Sequence, residues 1–356
     1  MDRNRAFAVH ALLTTVMLVL LMVGGAEAAT ITVNASGGAM YTRIQDAINA
    51  SNNSDTIIVA AGIYNENVIV NKSVNLTGSG ANVTIINASD PNSHVIYVSA
   101  QDGVNIRDFT ATGGTGGTHT SRSAGIYLSR TNNTNISKNI ISNNYYGIYL
   151  FSAINTNLSG NNVNSNNYGI YLMLSSNNTI YNNLFNNTNN FENSIAGINR
   201  WNVSKQTATN IVDGLNIGGN FWKNLSGTGF SQTCTDANLD GICDSGYMLS
   251  TGNEDYLPLA IPTGYINGSV KYNNTGVEGA VVATNNSVST TTDASGFFSF
   301  QLPAGTYQLT ATCEPEYYPD NSTASTVVIG TTVMAQDINL IKKPTGNITG
   351  MVRSPD

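Results

Sequence analysis

Gly125-Ile126-Tyr127-Leu128, Gly147-Ile148-Tyr149-Leu150 and Gly169-Ile170-Tyr171-Leu172 write one tetrapeptide three times at a step of 22 residues. Other columns keep the same step: Ile136, Leu158 and Ile180; Asn139, Asn161 and Asn183; Ile141, Val163 and Phe185. Short β-type runs repeating near 20 residues, with Asn, Ser and Gly between them, are the mark of a solenoid. Each 22-residue coil then supplies three short strands, and successive coils stack as parallel strands about 4.8 Å apart. Strand alternation turns Ile126, Leu128, Ile148, Leu150, Ile170 and Leu172 inward and sends Tyr127, Tyr149 and Tyr171 outward. Asn139, Asn161 and Asn183 share a turn position suited to an amide ladder, and Gly125, Gly147 and Gly169 read as a tight bend before the strand.

Working outward, the 356 residues are only 10% charged, with a formal net charge of −7. Polarity comes from Asn, Ser and Thr rather than ions, and no basic stripe exists for nucleic acid. At the N-terminus, Arg3 and Arg5, the apolar run Ala11–Val23 and Ala26-Glu27-Ala28 read as a secretory signal with its cleavage site, an uncleaved anchor being the alternative. No other stretch is apolar enough to span a membrane. Export agrees with about nineteen Asn-x-Ser/Thr sequons, Asn71, Asn75, Asn82, Asn135, Asn157 and Asn224 among them.

Thr30–Val33 reads as a strand and the next segment as a helix, N-capped by Thr42 with Gln45 completing a capping box, and with Tyr41, Ile44, Ala47 and Ile48 on one face. Such a helix covers the open end of the first coil. Ile44-Gln45-Asp46-Ala47-Ile48, Asp55-Thr56-Ile57-Ile58-Val59, Gly62–Val68 and Leu76-Thr77-Gly78 together resemble the first turns of pectin-lyase-like right-handed parallel β-helices. The Asn-rich coils that follow resemble NosD-type β-helix proteins, of the carbohydrate-binding and sugar-hydrolysis group. Gly218-Gly219-Asn220-Phe221-Trp222 through Tyr256-Leu257-Pro258-Leu259 resembles the closing segment of that family. The Gly-rich run at 113–117 breaks the period as a loop between coils.

From Pro262 the pattern changes. Gly276–Val282, Thr292–Phe300 and Leu302–Leu309 resemble a carboxypeptidase-regulatory-like domain, which implies a prealbumin-type β-sandwich without catalytic residues; Asp293-x-x-Gly296 is its hairpin turn. Pro262-Thr263-Gly264 recurs as Pro344-Thr345-Gly346, the expected start of a second sandwich in a longer protein. The expected organisation is an all-β chain: a signal at 1–28, the parallel β-helix at 29–225, a closing segment at 226–261, the sandwich at 262–342 and the second sandwich beginning at 343–356.

Three sites stand out. Asp236, Asn238, Asp240, Gly241 and Asp244 follow the first part of a calcium loop, although Tyr247 stands where a closing Glu belongs. The other reading is an acidic turn stapled by a disulfide between Cys234 and Cys243, which leaves Cys313 odd. Tyr127, Tyr149 and Tyr171, with Tyr146 and Tyr168 before the glycines, form either a strip for sugar rings or a self-stacking cover for the sheet. Hydrolysis of a polysaccharide wants paired carboxylates, and elimination wants carboxylate-bound calcium with a base. No Asp or Glu occurs from Phe109 through Phe191. Asp102, Arg107 and Asp108 are the one compact acid–base cluster and also read as a solvated turn with a local ion pair, while His94 and His119 stand alone.

The sequence therefore points to an exported, non-catalytic surface protein for carbohydrate binding, adhesion or an extracellular layer, with calcium as a structural ion. Its partners would be a polysaccharide, a cell-surface glycan or other surface-layer proteins. The rival is a polysaccharide lyase or glycoside hydrolase, and a third reading is a pure spacer. The NosD likeness also implies a copper-linked role, which no cluster of Met, His and Cys supports.

Overall fold

The 22-residue step becomes one turn of a coil in the structure, a computed structural model that describes residues 28–118, 121–195, 197–322 and 324–346. Residues 1–27 of the expected signal, His119 and the second-sandwich recurrence from residue 347 onward lie outside the described residues.

Three parallel sheets make the β-helix, and the chain visits them in turn. The first runs from Thr30–Val33 through Thr56–Val59, Asn75–Gly78, Asn105–Arg107, Asn135–Ser137 and Asn157–Ser159 to Thr179–Tyr181. The second runs from Gly62–Asn65 to Phe221–Lys223, and the third from Val68–Val70 to Asn189–Ser194. Register is like on like: Ile126, Ile148 and Ile170 pair, as do Leu128, Leu150 and Leu172. All six are fully buried, in one core with Ile136, Leu158, Ile180, Ile141, Val163 and Phe185. Each aliphatic side chain there contributes roughly 1.5–3 kcal/mol, so the columns hold the coils together. Phe185 continues onto Trp222, stacked at 4.8 Å, and carries the core into the closing segment.

Gly125, Gly147 and Gly169 do not make bends. They lie inside strands Ala124–Ser129, Tyr146–Phe151 and Tyr168–Met173, and none has a positive φ. What forbids a side chain is proximity. A Cβ on Gly147 would stand 2.6 Å from both the Gly169 carbonyl and Val163, and 2.9 Å from the Asn166 amide. The bends are made elsewhere, by left-handed residues recurring coil by coil: Arg130, Ser152 and Leu174; Asn133, Asn155 and Asn177; Lys138, Gly160 and Asn182.

The helix forms over Ile44–Ala50 and buries Ile44, Ala47 and Ile48 as its pattern predicts. The capping box does not form: Arg43 is the N-cap and no side chain of that turn caps it. Glu66, from the next coil, accepts from the amides of Ile44 and Gln45 at 2.9 and 3.0 Å instead. A carboxylate at a helix N-terminus satisfies otherwise orphaned donors and complements the helix dipole. Part of the Gly-rich loop forms a small hairpin, Gly117–Thr118 with Ser121–Arg122.

Beyond Pro262, Thr263–Tyr272 pairs antiparallel with Phe297–Pro303, and Val281–Thr284 forms the facing sheet with Leu309–Thr312. Phe298, Phe300 and Leu302 point into a second core with Ile266, Val282 and Leu309. The Asp293 carboxylate accepts from the amides of Ser295 and Phe297, closing the hairpin turn as expected.

Candidate functional site

The outward residues of the third sheet meet as a continuous aromatic surface. Tyr127, Tyr149 and Tyr171 occupy one register position, with ring centroids 4.7 and 4.9 Å apart. Tyr146 stacks on Tyr171 at 4.9 Å and 11°, and lies 5.5 Å from Tyr168. Each ring is half-buried against its neighbours, so burial raises the phenol pKa of Tyr127, Tyr146 and Tyr149 above the ordinary tyrosine value. These rings are uncharged hydrogen-bonding groups at any physiological pH. Aromatic pairs contribute about 0.5–1.5 kcal/mol each beyond area burial, so the strip stabilises the coils while presenting a flat apolar face.

The strip is larger than the repeat foretold. Tyr97 pairs in register with Tyr127, its ring 5.2 Å away, and His94 lies 4.3 Å from Tyr127. Tyr145 adds a ring 4.9 Å from Tyr146, with the Arg122 guanidinium over it at 4.2 Å. Tyr97 escaped the 22-residue pattern because the loop at 113–122 lengthens its coil. A search for aromatics two residues after a buried Val or Ile in the third sheet's strands would have found it.

Beneath the strip run buried amide ladders. The Asn139 amide donates to Asn161 Oδ1 at 3.1 Å, Asn161 to Asn183 at 2.9 Å and Asn183 to Asn220 at 3.0 Å. Each also donates to a carbonyl of the preceding coil, Asn161 to Ile136 at 2.8 Å and Asn183 to Leu158 at 2.8 Å. A second ladder, Asn144, Asn166 and Asn187, and a third, Asn178, Asn199 and Asn253, follow the same scheme. The first ends on Asp255, whose carboxylate accepts from the Asn220 backbone and side chain, the Trp222 indole and the Leu257 amide. Asp255 is fully buried, and desolvation outweighs those donors and pushes its pKa up to about 7.

In the closing segment, Cys234 and Cys243 are disulfide-bonded. Asp236 is buried and accepts from the amides of Asp240 and Gly241 at 3.0 and 2.8 Å; desolvation raises its pKa despite these bonds. Asn238 Oδ1 accepts from the Asp240 amide, Asp240 Oδ1 from the Ile242 amide, and Asp244 Oδ2 from the Ala237 amide. Asp240 Oδ2 is 2.6 Å from the Lys205 ammonium. The loop thus folds its oxygens onto its own amides, and a cation there would have to take Asp240 from Lys205.

Among the described residues, no three His, Cys, Asp or Glu side chains gather as a group that could hold a metal ion. His94 cannot serve copper as it stands. Its Nδ1 accepts from the Ala124 amide at 3.1 Å, which leaves the proton on Nε2, and burial lowers its pKa to about 4. Copper does not fit these residues. Of the acid–base cluster, Arg107 pairs with Asp108 at 3.0 Å, while Asp102 accepts from the Asn132 amide at 2.7 Å.

Comparison with known proteins agrees with this architecture. Residues 20–227 match the family described as periplasmic copper-binding protein (NosD), and residues 265–340 match the carboxypeptidase regulatory-like domain. A cell surface glycoprotein of Methanothermus fervidus is 34% identical over 134 residues, 37% of this chain and 21% of that protein. The chain therefore spans about a fifth of the length of the curated relative it matches. Among solved structures, the catalytic domain of a GH87 alpha-1,3-glucanase aligns with TM-score 0.39 and 18% identity, covering 48% of this chain and 31% of that one. Carrot pectin methylesterase aligns with TM-score 0.28 and 19% identity, covering 48% and 63%. Nothing about activity follows from likenesses so distant. With 20–227 covering more than half its length, the chain belongs to the NosD family of parallel β-helix proteins and carries a carboxypeptidase regulatory-like sandwich after it.

Proposed function

We propose that this is an extracellular, non-catalytic surface protein whose β-helix holds glycans on the outer face of its third sheet. The observation that carries the reading is the aromatic strip through Tyr127, Tyr149, Tyr171, Tyr146 and Tyr168, set in coils with no carboxylate from Phe109 to Phe191. Flat apolar rings edged by amides suit the hydrophobic faces and hydroxyls of sugars, and nothing there can act as acid, base or nucleophile on a glycosidic bond. The surface location draws support from the name of the Methanothermus relative. Other surface-layer proteins are further partners on the same reading. Calcium belongs to it as a structural ion at Asp236, Asn238, Asp240 and Asp244, displacing Lys205.

Affinity electrophoresis through gels containing acidic or neutral polysaccharides tests the proposal. Retardation of the wild type, reduced in Tyr149→Ala with an unchanged circular dichroism spectrum, is expected. Equal retardation of both would leave the strip as a stabilising cover alone. Robust release of reducing ends or unsaturated products would replace the proposal with the enzymatic reading.

A further inference from the structure

An open groove of about 650 Å³ lies at the C-terminal end of the β-helix, well away from the tyrosine strip. One wall is the segment after the last strand of the third sheet, with Ile198, Arg200, Asn202 and Gln206; the other is the end of the Asn253–Asp255 strand, with Glu254 and Tyr256.

Both walls are anchored from beneath. Arg200 extends the first sheet by one parallel bridge to Thr179, and its neighbours Asn199 and Trp201 are buried. Asn199 belongs to the third amide ladder, and Trp201 donates its indole N–H to Asn253 Oδ1 at 3.1 Å. Alternation therefore sends Arg200 outward from two fixed neighbours. Glu254 is placed in the same way, between buried Asn253 and buried Asp255. A hydrogen bond from the Tyr256 amide to Asn202 Oδ1, at 3.4 Å, ties the walls together. Tyr256 is 65% exposed and Ile198 72% exposed, so the groove offers an unshielded ring and an aliphatic face that the fold itself does not use. No ion pair of Arg200 or Glu254 occurs among the described residues.

We infer that this groove is a binding site for a carboxylate-bearing sugar, a hexuronate unit of an acidic glycan. Arg200 matches the sugar carboxylate with its planar fork of donors. Tyr256 takes the apolar face of the ring, and Glu254, Asn202 and Gln206 face its hydroxyls. Because the walls are fixed by ladders and indoles, little ordering is required on binding. This rests on the glycan-binding reading above but assigns it a second, separate site.

Isothermal titration calorimetry of the full chain with trigalacturonate tests it, with maltotriose as the neutral control. Binding of trigalacturonate is expected, weakened at least about tenfold in Arg200→Gln and in Tyr256→Ala, a loss of about 1.4 kcal/mol. Tyr149→Ala should keep the wild-type affinity. Arg200 and Tyr256 are exposed, so circular dichroism should show both variants folded. No binding of trigalacturonate, equal binding of maltotriose, or undiminished binding in the two groove variants would overturn the inference. Loss confined to Tyr149→Ala would overturn the groove and leave the strip.

Discussion

Asn220 hands its backbone N–H to Asp255 Oδ2 at 2.8 Å and its side-chain amide to the same oxygen at 3.3 Å. One carboxylate thus terminates a chain of amides that begins at Asn139, four coil positions away along the core. The closing segment is part of the solenoid's hydrogen-bond system rather than a lid resting on it.

That carboxylate makes stability depend on pH. Its pKa rises from 3.8 to about 7 on folding, so the folded state holds a proton that the unfolded chain releases. Its contribution is complete below about pH 4 and is lost as pH rises through 7, at roughly 1.4 kcal/mol per pKa unit. Thermal melts should show Tm falling between pH 5 and pH 8, and Asp255→Asn should flatten that slope. A slope unchanged in the variant would assign the dependence to another group.

Two glycines of similar appearance should behave oppositely. Gly147→Ala forces a methyl to within 2.6 Å of backbone and core, and overpacking of this kind costs about 1–3 kcal/mol. Gly160 is left-handed with open space around it, and Lys138 and Asn182 hold the same place in neighbouring coils. Gly160→Asn should therefore shift a urea midpoint very little, whereas Gly147→Ala shifts it clearly.

Leu174 sits at φ 53° in a turn where the preceding coils place Arg130 and Ser152, and it is 46% exposed. A branched apolar side chain gains nothing there, while the left-handed conformation disfavours it by about 1–2 kcal/mol. Asn, which tolerates that region, should raise stability by about 1 kcal/mol; calorimetry of Leu174→Asn checks this.

Calcium at millimolar concentration is expected to raise Tm of the wild type, and Asp240→Asn to cancel most of the gain. Calorimetry with and without chelator measures it. A wild type indifferent to calcium would leave the loop to Lys205, the disulfide and its own amides.

The 22-residue columns made the core legible because each inward position repeats a side chain of one kind, and the structure buries every one of them. Other features were hidden where the step fails. The ladder passes from Asn183 to Asn220, and from Asn199 to Asn253, across irregular segments, so spacing could not link them. Glu66 caps a helix 21 and 22 residues before it, a contact between coils that no local motif announces. The glycines kept the repeat's step, but sequence cannot separate a residue that needs a left-handed φ from one that needs empty space.

The amide ladders also have a direction. In each, the donor lies on the earlier coil and the acceptor on the later one, from Phe109 giving its N–H to Asn139 at one end to Asp255 receiving at the other. The two ends of the β-helix are therefore chemically different: the beginning offers a lone pair, and the finish demands one. A module joined after Asn220 has to bring an acceptor with it, which a carboxylate supplies and a hydrocarbon cap cannot.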